Sequence, residues 1–578
     1  MTVTDAFAGG DWRRSVAVEG ALRVFNDAGV LESADVLVAQ RLTAMAQEAD
    51  ETVALAVAFV VRALRGGSVC VNLAEVAGQV DAPDLPWPAA GEWLAAVQAS
   101  ALAGEPRVLH VEDGLVYLDR YWIEECRVAD DVRALAATAR SGPPPDLDRL
   151  FGGSYAEQRA AATVALSRAL TVLTGGPGTG KTTTVARLLA LLAEQAELQG
   201  RHPLRIALAA PTGKAAARLL EAVQAEVDKL DAADRDRLPE LNATTLHRLL
   251  GSRPDTSSRF RHHRDNRLPH DVIVVDETSM VSLTMMARLL EAVRPESRLL
   301  LVGDPDQLAS VEAGAVLADL VDGLAGSADS PVARLVTSHR FGASIGALAS
   351  AIRDGDADTA LEVLAGGGDH LDWVQTERPA DTLRKVLVPH ALRLREAAVL
   401  GDGVAALEIL EQHRMLCAHR RGPYGIAYWN RQVERWLAEQ TDMPLWAAWY
   451  PGRPVLVTAN DYGLSLYNGD TGVAVLRDGA LRAVMAGAAG PVEFATGRLA
   501  DIETMHAMTI HKSQGSQAAE VTVLLPPTDS RLLTRELLYT AVTRARRKVR
   551  LIGSAEQLRA AIDRRAVRAT GLSRRLRA

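Results

Sequence analysis

The chain has 578 residues and a mass of 61.8 kDa, enough for about three to four domains, each able to bury a core of its own. Hydrophobic residues at 48% and charged residues at 24%, with 45 Gly and 25 Pro, exclude a disordered or fibrous protein. The net charge of −8 argues against a protein that coats nucleic acid indiscriminately.

That charge is unevenly spread. Residues 1–150 hold 23 Asp and Glu against 12 Arg and no Lys, a balance that repels a phosphate backbone and suits a protein partner. Residues 544–578 hold 12 Arg and Lys against Glu556 and Asp563. Two readings fit that basic end: it lies near polyanion or an acidic partner, or it is a solvated tail. The longest apolar stretch, residues 52–61, stops at Arg62, short of the roughly 18 residues that a membrane span needs. The start, Met1-Thr2-Val3-Thr4-Asp5, has neither the positive charge nor the apolar run of a signal peptide, so a cytoplasmic protein is expected. Cys70, Cys126 and Cys417 form no CxxC clamp, and no disulfide framework, zinc site or iron–sulfur cluster is assigned. Of 64 basic residues only six are Lys, a preference that, with Ala-rich helices, points to a GC-rich bacterial genome. Each remaining Lys marks a place where a compact ammonium is wanted.

In chain order, residues 36–46 and 52–64 carry apolar side chains at helical spacing, so the first 140 residues read as mainly helical. Ser141-Gly142-Pro143-Pro144-Pro145-Asp146 is a stiff linker. Beyond it, apolar runs at 170–174, 205–210, 271–275 and 298–302 alternate with helical stretches, the pattern of a parallel sheet covered on both faces. A second set, at 521–525 and 548–552, brackets a helix near 533–542. Between about 453 and 500, Gly-rich alternating segments predict a small β-barrel inserted in the second α/β domain.

Gly175-Gly176-Pro177-Gly178-Thr179-Gly180-Lys181-Thr182-Thr183 sits between a strand and a helix and fits the P-loop. Glycines let backbone N–H groups curl around phosphate, the helix start adds positive dipole, Lys181 reaches the β- and γ-phosphates, and Thr182 ligates Mg²⁺. Val272-Ile273-Val274-Val275-Asp276-Glu277 ends a buried strand in two carboxylates. Asp276 is placed to hold Mg²⁺ and Glu277 to polarise the attacking water. Gly303-Asp304-Pro305-Asp306-Gln307-Leu308 ends another strand; Gln307 is a candidate γ-phosphate sensor, and a simple turn on Gly303 and Pro305 also accounts for the segment.

These motifs continue in an ordered series. Gln158 precedes the P-loop, and Ala210-Pro211-Thr212-Gly213-Lys214, Thr244-Thr245-Leu246-His247, Asp276-Glu277-Thr278-Ser279, Ser338-His339-Arg340, Thr509-Ile510-His511-Lys512-Ser513-Gln514-Gly515 and Thr540-Ala541-Val542-Thr543-Arg544 follow. The series, over about residues 155–555, resembles superfamily 1 helicases and, within them, the RecD family, the α subunits of exodeoxyribonuclease V, the RecBCD complex. Residues 453–472 resemble the RecD-type insert with an SH3-like barrel, and Leu118-Asp119-Arg120-Tyr121-Trp122-Ile123-Glu124-Glu125 resembles the end of the RecD amino-terminal domain.

The resemblance implies an α/β fold with two RecA-like P-loop domains of parallel sheet flanked by helices, a small SH3-like β-barrel insert in the second, and a mainly helical amino-terminal domain. The boundaries expected are 1–145 for an acidic partner-docking domain, 146–335 for the first motor domain and 336–578 for the second, with the insert at about 450–502. ATP and Mg²⁺ are the implied cofactors. By similarity Gln158 contacts adenine, and Arg340 and Arg544 reach the γ-phosphate across the cleft; a surface ion pair is the plainer reading of either arginine. Thr212, Lys214, Thr245, His247, His511 and Ser513 match positions that touch DNA. His247 or His511 is equally a satisfied core histidine. The run Arg259-Phe260-Arg261-His262-His263-Arg264-Asp265-Asn266-Arg267 reads either as a funnel for single-stranded nucleic acid or as a solvated loop.

The implied activity is ATP-driven 5′-to-3′ travel on single-stranded DNA, as a subunit of a complex that unwinds and degrades DNA from double-strand ends for recombinational repair. RecB-like and RecC-like subunits are the implied partners, with the nuclease in the partner. A stand-alone RecD-like helicase, a scaffold that does not hydrolyse ATP and an RNA motor are the competing readings.

Overall fold

Helix Glu51–Arg65 starts at Asp50, whose carboxylate accepts from the Thr52 N–H at 2.8 Å, and ends with Arg62 and Arg65 in the turn where the helix dipole is negative. It buries Val53, Leu55, Val57, Phe59 and Val60 against helix Ser33–Ala46 and its neighbours. Each such side chain contributes about 1.5–3 kcal/mol by leaving water. Phe25, Phe59 and Trp87 form an aromatic knot, with ring centroids 4.7 Å apart for Phe25–Trp87 and 5.2 Å for Phe59–Trp87. The computed structural model describes residues 13–577 except 81, 144, 154, 254–255, 327–328, 338–342, 377, 443–446, 462 and 488–489, and only the backbone at 253, 256–258 and 343.

The amino-terminal part also contains an antiparallel sheet in the order Cys70–Asn72, Leu115–Leu118, Leu109–Glu112, which the helical periodicity does not predict. Strands of three or four residues are too short to write an alternation into the sequence. The linker then lies along the next unit, with the Ser141 carbonyl accepting from Gln199 Nε2 at 3.0 Å.

The first large sheet has six parallel strands in the order Val332–Leu335, Leu170–Gly175, Arg298–Gly303, Val272–Val275, Ile206–Ala210, Ala243–Thr245. Leu170–Gly175 and Arg298–Gly303 are buried along their whole length, as strands covered on both faces must be. The second sheet, also parallel, runs Leu371–Val374, Ala545–Ile552, Ala518–Leu524, His413–Cys417, Ala507–Thr509. Between its members lies a five-stranded antiparallel sheet, Gly490–Ala495, Ala480–Gly487, Thr471–Arg477, Pro454–Val457, Ile502–Thr504, at the place where the sequence predicts the small barrel.

Past Arg564 the chain leaves the second sheet. Helix Leu572–Arg577 packs on Val316–Leu324 of the first sheet unit and on Asp119–Ala136 of the amino-terminal part. Leu572 and Leu576 join Cys70, Leu115, Tyr117, Val128, Leu317 and Leu320 in one core. Arg575 donates to Glu125 at 2.9 Å and to both oxygens of Glu112 at 2.8 and 2.6 Å, and Arg574 faces Asp113 at 3.2 Å. The basic end therefore has its acidic partner within the same chain, in the segment whose charge is most negative. Among the described residues no helix is long and apolar enough to cross a membrane.

Candidate active site

The P-loop joins a buried strand to helix Lys181–Leu198, with Gly178 and Gly180 at φ +84° and +85°, conformations that side-chain-bearing residues rarely take. A Cβ on Gly175 would meet the Leu335 carbonyl at 2.7 Å, so the loop can hug its neighbouring strand only as glycine. Lys181 Nζ donates to the carbonyls of Gly175 and Gly176 at 2.5 and 3.0 Å and so stands over the mouth of the loop. Gln158 is buried on helix Ala156–Ser167, its Nε2 3.4 Å from the Thr179 carbonyl.

A cleft of about 660 Å³ gathers Gln158, Pro177, Gly178, Gly180, Lys181, Thr182, Thr183, Asp276, Glu277, Gln307 and Arg544. Gly175, Gly176 and Thr179 complete the loop at its floor, where the Thr179 hydroxyl donates to the Gly176 carbonyl at 2.9 Å. Burial and the neighbouring Glu277 push the Asp276 carboxyl up, opposed by the Lys181 ammonium. Glu277 is at φ +51°, a left-handed conformation that costs energy in a residue with a side chain and that recurs where a site is held in a fixed geometry. Thr182 and Asp276 bring a hydroxyl and a carboxylate to the same cleft, oxygen donors of the kind a hard divalent cation takes.

The opposite wall comes from the second sheet unit. Arg544 is 4% exposed; it donates to the Gln307 amide oxygen at 2.8 Å and to the Thr540 carbonyl at 3.0 Å. Gln307 in turn donates to Asp304 at 3.0 Å, and the Tyr539 hydroxyl donates to the same carboxylate at 3.1 Å. The Leu308 N–H meets Thr540 Oγ1 at 2.9 Å, and Gln514 Nε2 donates to the Leu308 carbonyl at 2.6 Å. Arg544 and Gln307, 237 residues apart, thus join the two units across the cleft. Arg340 lies outside the described residues, as do Ser338 and His339.

Further side chains in the cleft have no role in the sequence reading, Gln517 among them. Phe151 and Tyr155 line it beside Arg187, whose guanidinium sits 4.4 Å above the Tyr155 ring and donates to the Leu150 carbonyl at 2.7 Å. The aromatic three residues ahead of Gln158 is the one signal for this wall in the sequence.

The six candidate DNA contacts do not line that cleft. Thr212 and Thr245 cap the helices that follow adjacent strands, their hydroxyls accepting from Ala215 N–H and Arg248 N–H at 3.2 Å. Lys214 is half-buried and donates to Thr471 Oγ1 of the inserted sheet at 3.2 Å; burial, with Arg414 and Arg218 nearby, pushes its ammonium down to about 7. His247 is exposed, its ring edge-on to Phe260 at 5.8 Å. His511 is half-buried, and desolvation with Arg568 nearby lowers its imidazole from the usual range; Ser513 is buried with its hydroxyl donating to the Ile510 carbonyl at 2.7 Å. In the basic run 259–267, Arg264 pairs with Asp131 at 2.7 Å and Arg267 donates to the Val293 carbonyl at 2.6 Å, so Arg264 fastens the loop to the amino-terminal part and Arg267 fastens it to the first sheet unit.

Comparison with known proteins adds three family matches: the RecBCD enzyme subunit RecD, N-terminal domain, over residues 27–113, an AAA domain over 158–313 and a UvrD-like helicase C-terminal domain over 504–552. The RecBCD enzyme subunit RecD of Mycolicibacterium smegmatis is 70% identical over 550 residues, covering 95% of this chain and 98% of that relative. That of Mycobacterium tuberculosis H37Rv is 65% identical over 563 residues, covering 97% and 98%. The crystal structure of Pif1 helicase from Bacteroides in complex with ADP-AlF3 and ssDNA aligns with a TM-score of 0.40 at 17% identity, covering 70% of this chain and 93% of that one. With relatives so similar along nearly its whole length, the chain belongs to the RecD family of RecBCD enzyme subunits.

Proposed function

We propose that this chain is the ATP-driven 5′-to-3′ single-stranded DNA motor of a RecBCD-type complex that unwinds DNA from double-strand ends, with the nuclease in a partner subunit. The observation that carries the reading is the Arg544–Gln307 bond across a cleft whose other wall holds Lys181, Asp276 and Glu277. An arginine delivered from the second unit makes hydrolysis depend on closure, and closure moves one unit against the other. Lys181 binds the β- and γ-phosphates, Glu277 orients the attacking water and accepts its proton, and Arg544 stabilises the charge that develops on the γ-phosphoryl oxygens. Gln307, already bonded to Arg544, reports phosphate occupancy to the second unit. Thr182 and Asp276 would hold Mg²⁺, which when bound neutralises phosphate charge. Gln158 selects adenine by hydrogen bonding, and Tyr155 with Arg187 offers its ring a stacking wall.

In this reading residues 146–335 and 336–578 form the two motor domains, with the insert at about 450–502. Thr212, Lys214, Thr245, His247, His511 and Ser513 follow strand ends of the two sheets, where one DNA strand crosses both units. Residues 1–145 dock a RecC-like subunit, with a RecB-like subunit completing the complex. Leu37 and Met45, 57% and 69% exposed on one face of helix Ser33–Ala46, support a protein partner there.

The test is ATP hydrolysis by the purified chain with and without single-stranded DNA, followed by strand separation on duplexes with a 5′ or a 3′ overhang. DNA-stimulated turnover with unwinding only from the 5′ overhang is expected. Unwinding only from the 3′ overhang refutes the direction; no turnover alone or with RecB-like and RecC-like subunits refutes the motor.

A further inference from the structure

The segment 304–315 contains no helix or strand, so its position is set by what holds it. Its first half is held by the second sheet unit, through Gln307 and Leu308. Its second half is held by the carboxy-terminal strap. Arg568 Nη1 donates to the carbonyl of Ser310, to that of Glu312 at 3.1 Å and to that of Gly67 at 3.4 Å. The same Gly67 carbonyl accepts from the Gly314 N–H at 2.9 Å. Directly after Arg568 the strap is fixed to the amino-terminal part: the Ala569 N–H donates to Ser68 Oγ at 3.1 Å, and the Ala569 carbonyl accepts from the Val69 N–H at 2.8 Å. Gly67 has φ +86°, and a Cβ on it would lie 2.5 Å from Arg568 Nη1, so the guanidinium occupies room that only glycine leaves.

We propose that Arg568 is a positioning residue for ATP hydrolysis: it clamps segment 310–314 to the amino-terminal domain and thereby holds Gln307 in place opposite Arg544. The proposal rests on the reading of Gln307 as the γ-phosphate sensor. Three carbonyl dipoles of two different parts of the chain converge on one –NH₂ of a guanidinium, whose two hydrogens they share and whose positive charge they solvate. Through this clamp the amino-terminal domain, which contributes no side chain to the cleft lining, takes part in setting the cleft's geometry. A displacement of about an ångström at a reacting centre is enough to cost about 100-fold in rate, so a clamp one turn of chain away bears on turnover.

The experiment measures kcat and KM for ATP in the full chain with single-stranded DNA, for Arg568→Gln, Gln307→Ala and the double variant. Arg568→Gln is expected to lower kcat about 10-fold with KM within about twofold, and the double variant to be no slower than the slower single one, because both changes act on the same group. Gly67→Ala, which displaces the guanidinium without altering it, is expected to reproduce the kcat loss and decides the matter if Arg568→Gln does not fold. An unchanged kcat in a folded Arg568→Gln or Gly67→Ala chain overturns the proposal, as do losses that multiply in the double variant. Gln307→Ala with wild-type kcat overturns the sensor reading instead.

Discussion

Arg575→Ala should release the carboxy-terminal helix from the amino-terminal domain, and its cost can be worked out bond by bond. The guanidinium is 15% exposed and serves two carboxylates of unequal burial, Glu112 at 39% and Glu125 at 0%. Losing the Glu112 pair costs about 0–1 kcal/mol, since that carboxylate returns to water. Stripping a buried carboxylate of its cation costs about 3–5 kcal/mol. Glu125 keeps Thr570 Oγ1 at 2.9 Å, the Gly571 N–H at 3.0 Å and the Tyr117 hydroxyl at 3.2 Å, which places the loss at the lower end. The total is about 3–4 kcal/mol, or a few hundredfold in the local opening constant.

A chain of several domains has no single unfolding free energy, so the assay is amide hydrogen exchange at Gly571 and Leu572. In the wild type these amides should exchange at least about 100-fold more slowly than in Arg575→Ala. In a Glu125→Gln background the same substitution should cost about 1 kcal/mol, because no buried charge is left behind. Exchange within tenfold of wild type would refute the clasp. The pH sign follows from Glu112, whose carboxyl is held below its usual range chiefly by the hydrogen bonds from Arg575. A lowered carboxylate pKa stabilises the fold fully above the unfolded value near about 4.3, and that contribution disappears as pH falls through the folded value. Arg575→Ala should flatten this acid limb.

Lys181→Gln should lower kcat by about 100-fold or more while leaving the fold intact, because it deletes a phosphate contact and no core volume; ATP turnover near the wild-type rate would sink the P-loop reading. Asp319→Asn should be neutral or stabilising at pH 7: burial and the nearby Glu125 raise the Asp319 carboxyl, so ionising it costs local stability as pH rises above about 4, and amide hydrogen exchange in helix Val316–Leu324 across pH 4–8, corrected for intrinsic rates, should show that loss vanish. Tyr155→Ala should raise KM for ATP about 3- to 30-fold at nearly constant kcat, as expected for a group that binds substrate and transition state alike; a kcat loss with unchanged KM would move Tyr155 from the adenine wall to the chemistry.

What the sequence conveys is what is encoded locally. Gly178 and Gly180 at positive φ, Lys181 one residue on, and Asp276-Glu277 at a strand end are short-range patterns, and the structure places them together in one cleft. The apolar runs that predict strands recur as Leu170–Gly175, Val272–Val275 and Arg298–Gly303 within a residue or two. Arg544 meeting Gln307 depends on how two sheets face each other, which no spacing reports; the family resemblance sends Arg544 to the γ-phosphate across the cleft and says nothing of Gln307 as its partner. The carboxy-terminal strap was out of reach for a different reason. Opposite charge totals at the two ends of the chain are compatible with contact, but only the fold shows that Arg575 spans Glu112 and Glu125 while Arg568 passes both and grips backbone. Backbone carbonyls carry no sequence signature, so a side chain that binds three of them is invisible until the fold is known. Lys214 shows the same limit in reverse, since its match to a DNA-contact position says nothing of the Thr471 hydroxyl that it meets.

The bonds that close the cleft are few enough to be switched. Arg544 to Gln307, Tyr539 to Asp304, Leu308 to Thr540, Gln514 to Leu308 and Arg218 to the Gly515 carbonyl are the side-chain links between the two units around it. At about 0.5–1.5 kcal/mol net for each of the two neutral bonds and about 1.5–3 kcal/mol for each of the three with an ionised partner, they hold the closed form by about 5.5–12 kcal/mol before any strain is subtracted. Moving a two-state equilibrium from one extreme to the other takes about 5.5 kcal/mol of differential affinity, which is the lower end of that range. A nucleotide that binds the closed cleft more tightly than the open one can therefore drive the units together, and its loss can let them part. The strap lies outside this set of bonds. Its own attachments run through a hydrophobic core and a buried carboxylate, so tying segment 310–314 to the amino-terminal domain draws on none of the bonds that join the two units across the cleft.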